Sequence, residues 1–198
     1  MGDLTPLLRP DSEGLPVVNY LALMMLVFAI EKVVAVVGRF AGYLNLLLIA
    51  VIIVDVTLRA LFSLTGAWVI ELEWHLFALI FLLGIPYALQ QDKHVRVDLF
   101  YERFSPENRR LVNLFGTVLF LLPWALVLLY TGWFYALDAF RSGETSPNPN
   151  GIPYFFPIKA MIPFAAGLLV LQGIATGIRT YRNTSDAPEA ITDQSADV

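Results

Sequence analysis

Long apolar runs separated by short polar segments dominate the chain. Four of them, 42–64, 69–88, 111–137 and 158–178, hold about 20 or more mostly apolar residues, the length that crosses a hydrocarbon core. Aromatic groups mark span ends, at Trp133-Phe134-Tyr135 and Tyr154-Phe155-Phe156, as at a bilayer interface. Pro123 and Pro163 fall inside runs, where neighbouring helices satisfy the freed carbonyls. The pattern predicts an all-α integral membrane fold of four transmembrane helices plus interfacial amphipathic helices.

A fifth apolar run, 17–30, stops at Glu31-Lys32, with Arg39 further on. It is short for a span, so 17–40 is expected to lie in the interface with Glu31, Lys32 and Arg39 reaching headgroups, a spanning helix being the alternative. Residues 1–16 carry Pro6, Pro10 and Pro16 and read as a flexible lead. Asp11 and Glu13 precede the run and no small-residue cleavage site follows it, so the N-terminus is expected to be retained. The four-span membrane domain covers 41–182, and the polar, acidic tail 183–198 is expected to be disordered. Between spans two and three, HVRVDLFYERF at 94–104 is expected to form a short surface helix. Ser105-Pro106-Glu107 then reads as a helix start: an N-cap serine, proline at the first position and an acid in the first turn.

Composition sharpens this picture. Hydrophobic residues make up 57% of the 198 and charged residues 15%, against about a quarter charged in soluble domains. The net charge of −4 makes nucleic acid an unsuitable partner, and the absence of cysteine removes thiol chemistry and iron–sulfur ligation. Of the 13 basic residues, Arg9, Lys32, Arg39, Lys93, Arg96, Arg103, Arg109, Arg110, Arg179 and Arg182 fall on one side of a four-span arrangement. The positive-inside rule makes that side cytoplasmic and places both termini there.

Charges inside the spans are the candidate chemistry. Asp55 and Arg59, four residues apart, share a helix face and can pair, and Glu73 and His75 reach a similar depth. These four are expected to form a structural intramembrane cluster; a proton- or ion-coupling site is the alternative. His75 and His94 are about 28 Å apart along a helix, too far to ligate one haem. No metal-spaced cluster, phosphate loop or catalytic triad is present, so neither enzymatic activity nor a cofactor is expected. A membrane anchor for a respiratory oxidoreductase is the rival reading, and the histidine count opposes it.

The loop from Ser142 to Pro153 holds three prolines and two glycines. It reads either as a rigid connection or as a docking loop for an extracytoplasmic partner, with Glu144, Ser146, Asn148 and Asn150 as its polar groups. Small residues recur in the last span at Ala160, Ala165, Ala166, Gly167, Gly173, Ala175 and Gly177. They permit close helix approach, within the bundle or against a partner. No internal repeat is visible.

Three stretches together resemble the small membrane subunit of tripartite ATP-independent periplasmic (TRAP) transporters, the DctQ family. They are VDVTLRALF at 54–62, ELEWHLFALIFLLGIPYALQQDKHVRVDLFYERF at 71–104, and GETSPNPNGIPYFFPIKAMIPF at 143–164, the last similar to the branch of mannitol- and chloroaromatic-type systems. The resemblance covers roughly 40–182; the N-terminal segment is more apolar than the family pattern. It implies a scaffold subunit of the bacterial inner membrane, surrounded by lipid and paired with a large permease subunit. A periplasmic substrate-binding protein would deliver an organic acid, which the large subunit carries inward with sodium. It also implies that substrate and sodium sites lie on the other chains, and that the small-residue stripe faces the partner.

Overall fold

The computed structural model describes residues 17–64, 66–91 and 104–185, and among these every regular element is helical. Helix α1 runs from Val17 to Phe62, α2 from Ala67 to Gln90, α3 from Pro106 to Phe115, α4 from Leu122 to Ser142, and α5 from Phe156 to Ser185. A π-helical segment, Gly116–Leu121, joins α3 to α4 in one continuous rod. Four stretches are long and apolar enough to cross a membrane: Leu21–Phe62, Ala67–Gln90, Asn108–Ser142 and Phe156–Tyr181. Large apolar side chains stand exposed along their outer surfaces, among them Phe28, Tyr43, Phe81, Phe120 and Trp124. In water such a surface would aggregate, whereas lipid solvates it.

The boundary expected between an interfacial helix 17–40 and a span beginning at 41 is not a break. α1 is a single helix of 46 residues, roughly 69 Å at 1.5 Å per residue, more than twice a hydrocarbon core of about 30 Å. No proline lies between Val17 and Phe62 to interrupt it. Its buried stripe repeats every seven residues: Val27, Val34, Ala41, Leu48 and Asp55. That spacing keeps one face against a neighbour along the helix. Glu31 belongs to the same buried face and does not reach toward headgroups, while Lys32 and Arg39 are exposed.

α2 returns antiparallel to α1 after a connection of a few residues. Ser63 ends α1 in the left-handed region (φ 53°), and Ser63 N–H donates to Arg59 O. At the far end Gln90 Nε2 donates to Glu31 O at 2.8 Å. Between these points Gly38 lets the Tyr87 ring lie on the α1 backbone, where an added Cβ would be 2.2 Å from Tyr87 Cγ.

The rod α3–α4 starts as the sequence predicts: Ser105 Oγ accepts from Asn108 N–H at 3.3 Å and Pro106 opens the helix. The widened π turn lies just before Pro123. There Leu122 N–H donates five residues back to Thr117 O, so the ladder shifts register where the proline supplies no donor. α4 ends at Gly143 (φ 62°), with Glu144 N–H donating to Ala139 O at 3.1 Å, a glycine C-cap.

α5 touches every other helix and carries much of the core: Ala165, Ala166, Leu168, Gln172 and Ala175 are buried. It pairs antiparallel with the rod in a register fixed by glycines. A Cβ on Gly132 would meet Ile162 and Pro163, and one on Gly173 would meet Leu121 and Leu122 at under 3 Å. The nearest neighbours beside Gly167 and Gly177 are Leu129 and Thr117. The glycines of the small-residue stripe thus face the rod of the same chain, not a partner. The physical reason is depth: they let α5 sit at the bundle centre. α5 also continues through Ser185, so the first residues of the expected disordered tail are helical; 186–198, the lead 1–16 and most of the expected surface helix 94–104 lie outside the described residues.

Candidate functional site

Glu71, one turn into α2, is buried at 3% exposure beneath the loop that joins α4 to α5. Its Oε1 accepts from the Ser146 hydroxyl and from Asn148 Nδ2 at 3.0 Å, and its Oε2 accepts from Ile152 N–H at 2.5 Å. Three donors from one loop therefore converge on one carboxylate. Hydrogen bonds to an ionised acceptor are the strong kind, and they offset the cost of burying the group.

The loop is shaped to deliver them. Ser146 N–H donates to Ile152 O at 3.1 Å, Asn148 N–H to Ser146 Oγ at 3.0 Å, and Gly151 N–H to Asn148 O at 3.1 Å. Asn150 takes a positive φ of 60° at the turn. Gly151 has no room for a side chain, since a Cβ would be 2.2 Å from Ser146 Oγ and 2.7 Å from Glu71 Oε2. At the loop's base Glu144 holds Lys159 at 2.5 Å, and Lys159 Nζ sits 4.0 Å from the centroid of the Tyr135 ring.

His75, one turn below Glu71, places Nδ1 2.6 Å from Glu71 O, the contact of a ring N–H with a carbonyl. Its ring lies 4.1 Å from that of Trp74 and 5.5 Å from that of Phe155. α2 and the start of α5 are thus joined by aromatic contact as well as through the loop.

The expected cluster of Asp55, Arg59, Glu73 and His75 separates into parts. Asp55 and Arg59 do pair, with Asp55 buried and the Arg59 side chain half exposed. His75 belongs to the Glu71–Phe155 group, and Glu73 Oε1 is buried with no partner. Spacing on α2 explains the division, because residues two apart point to different sides of a helix. Of the candidate docking residues, Glu144, Ser146 and Asn148 are engaged within the chain, and Asn150 is exposed at the turn. Sequence reasoning passed over Glu71 and the pair Glu31–Arg179, which joins α1 to α5. For Glu31 a signal existed: it lies between Val27 and Val34 of the seven-residue stripe.

Two clefts accompany these groups. One, of about 470 Å³, opens between the loop-side ends of α1 and α2 and is apolar apart from Asp55. The other, of about 390 Å³, lies between Ile70, Glu71, Trp74, Asn148 and Phe155. Among the described residues no group of three His, Asp or Glu is placed to hold a metal ion.

The family model of the tripartite ATP-independent periplasmic transporters, DctQ component, matches residues 48–183. The chain belongs to the DctQ family. It is a multi-pass membrane component of a TRAP transporter, and the family is one of transport components, not of enzymes. No curated protein matches the chain. The DctQ match takes in Asp55, Glu71, the loop and α5, and begins in the second half of α1.

Proposed function

We propose that this chain is the immobile scaffold subunit of its transporter, pairing with the large permease subunit for sodium-driven, binding-protein-dependent uptake of an organic acid. The observation that carries the reading is how the buried polar groups are used. Glu31 is held by Arg179, Asp55 by Arg59, and Glu71 by three donors of one loop. The Glu31 and Glu71 contacts tie helices and loop to one another, the Asp55–Arg59 pair neutralises a charge within α1, and among the described residues no converging set of free polar groups is left for a substrate. Pro86 and Pro163 lie inside unbroken helices, in contrast to the discontinuous helices that build substrate sites in many transporters.

The lysine and arginine distribution supports an inner-membrane placement with both termini cytoplasmic and the loop at 143–155 in the periplasm. There the Glu71-braced loop offers a stiff surface to a periplasmic binding protein, with Asn150 and Tyr154 exposed on it. Exposed Lys32 and Arg39 then lie near the inner headgroups, and 17–30 continues α1 past Gln90 at the cytoplasmic side.

Reconstitution tests the proposal. Liposomes holding this chain and the large permease should accumulate an organic acid under a sodium gradient when the binding protein is added. Accumulation by this chain alone would overturn the scaffold assignment.

A further inference from the structure

Three cations of the bundle are answered within the chain: Arg59 by Asp55, Lys159 by Glu144 and Arg179 by Glu31. Lys32 and Arg39, both exposed on α1, make no ion pair among the described residues. Neither has a carboxylate three or four residues away on the helix, where a pair could form.

The two share one face. Phe28, Lys32, Val36, Arg39 and Tyr43 follow one another at intervals of three or four residues, and all are exposed. This stripe is on the side of α1 opposite Val27, Val34 and Ala41, which are buried against the bundle.

Depth and posture point the pair toward headgroups. Glu31 O accepts from Gln90, the last residue of α2, so Lys32 is level with the end of that span. Arg39 is seven residues further in, about 10 Å along the axis. Its Nε donates to Ala35 O at 3.2 Å, which draws the guanidinium back one turn toward Lys32. A cation that snorkels from hydrocarbon to the headgroup layer takes this posture. The Arg39 Nη groups make no hydrogen bond among the described residues, and a planar guanidinium meets a phosphate with two donors at once.

A carboxylate on a neighbouring protein helix is the less suitable counter-charge. Membrane helices approach one another through small residues, whereas every member of this stripe is large or β-branched. Lipid moulds to such a surface, and anionic headgroups attract basic side chains at the bilayer edge.

We propose that the α1 face of Lys32 and Arg39 is a binding site for an anionic phospholipid, whose phosphate meets both cations while an acyl chain lies along Val36 and Tyr43. Its assignment to the inner leaflet rests on the orientation proposed above.

The test uses the full chain in vesicles of phosphatidylethanolamine with a minor fraction of phosphatidylglycerol, and native mass spectrometry counts the lipid that stays bound. Phosphatidylglycerol should be retained in preference to phosphatidylethanolamine. Lys32→Gln and Arg39→Gln should each weaken retention about fivefold, the effect of one basic residue at an anionic surface, and the double variant about 25-fold. Lys32→Arg should bind as the unaltered chain does, and so should Arg141→Gln, in the last turn of α4. Melting in neutral detergent without lipid should be the same for all of them, because these side chains are exposed, so loss of lipid is not read as loss of fold. Phosphatidylglycerol should also stay bound when the large permease subunit is co-expressed and co-purified. Equal retention of the two lipids, unchanged retention in the double variant, an equal loss in Arg141→Gln, or displacement of the lipid by the large subunit would each overturn the proposal. Cysteine labelling that reversed the topology would overturn the orientation instead and move the lipid site to the other leaflet.

Discussion

Glu31 and Arg179 are 148 residues apart in sequence and form an ion pair where α1 and α5 meet. The pair is unequal: the Glu31 side chain is 10% exposed and that of Arg179 58%. The main-chain carbonyl of Glu31 also accepts from Gln90, so one residue of α1 binds both α2 and α5. The inequality makes the two truncations differ. Glu31→Ala leaves an exposed guanidinium, which water or headgroups solvate, and should cost about 1 kcal/mol or less. Arg179→Ala leaves a buried carboxylate without its donor and should cost about 1–3 kcal/mol. Thermal unfolding in detergent should rank Arg179→Ala as the more damaging change.

The Glu71 clamp predicts a loop phenotype. Glu71→Ala removes the common acceptor of Ser146, Asn148 and Ile152, each bond to a charged group being worth about 1.5–3 kcal/mol. The loop should then become cleavable by a protease acting from the periplasmic face. Ser146→Ala, which removes one donor, should have a weaker effect. Equal resistance in Glu71→Ala and the parent chain would contradict the clamp.

Two glycines of α1 should respond with opposite sign to the same change. Gly38→Ala sets a methyl group 2.2 Å from Tyr87 Cγ and should destabilise the α1–α2 pair, by about 1–3 kcal/mol for overpacking. Gly42 has nothing within 4 Å of an added Cβ, so Gly42→Ala should gain about 0.5–1 kcal/mol from helix propensity. Detergent melting curves of the two variants read the difference directly.

Topology is tested by single cysteines, since the chain has none of its own. Ser142 and Asn108 are both exposed and lie at opposite ends of the rod. With an impermeant thiol reagent on intact cells, Ser142→Cys should label and Asn108→Cys should not. Labelling of both would rule out the four-span arrangement.

Local rules were enough for much of the architecture. Four spans, the Ser105 cap and the Asp55–Arg59 pair depend on residues a few positions apart, so length, spacing and side-chain type decide them. The seven-residue stripe from Val27 to Asp55 was also present in the sequence, and it needed only the right period to be read. Tertiary structure decided what long separations control. Glu71 reads as one more acid near a helix start until a loop 81 residues further on brings Ile152 N–H to it. Glu31 looks like the charge that ends an apolar run, yet Arg179 makes its burial tolerable and α1 continues past it. The glycines of α5 have the same spacing whether they face a partner or the rod, and only the register with Thr117, Leu121 and Leu129 turns them inward. In lipid, burial of a polar group is permitted or forbidden by its partner, and a sequence read locally does not contain that partner.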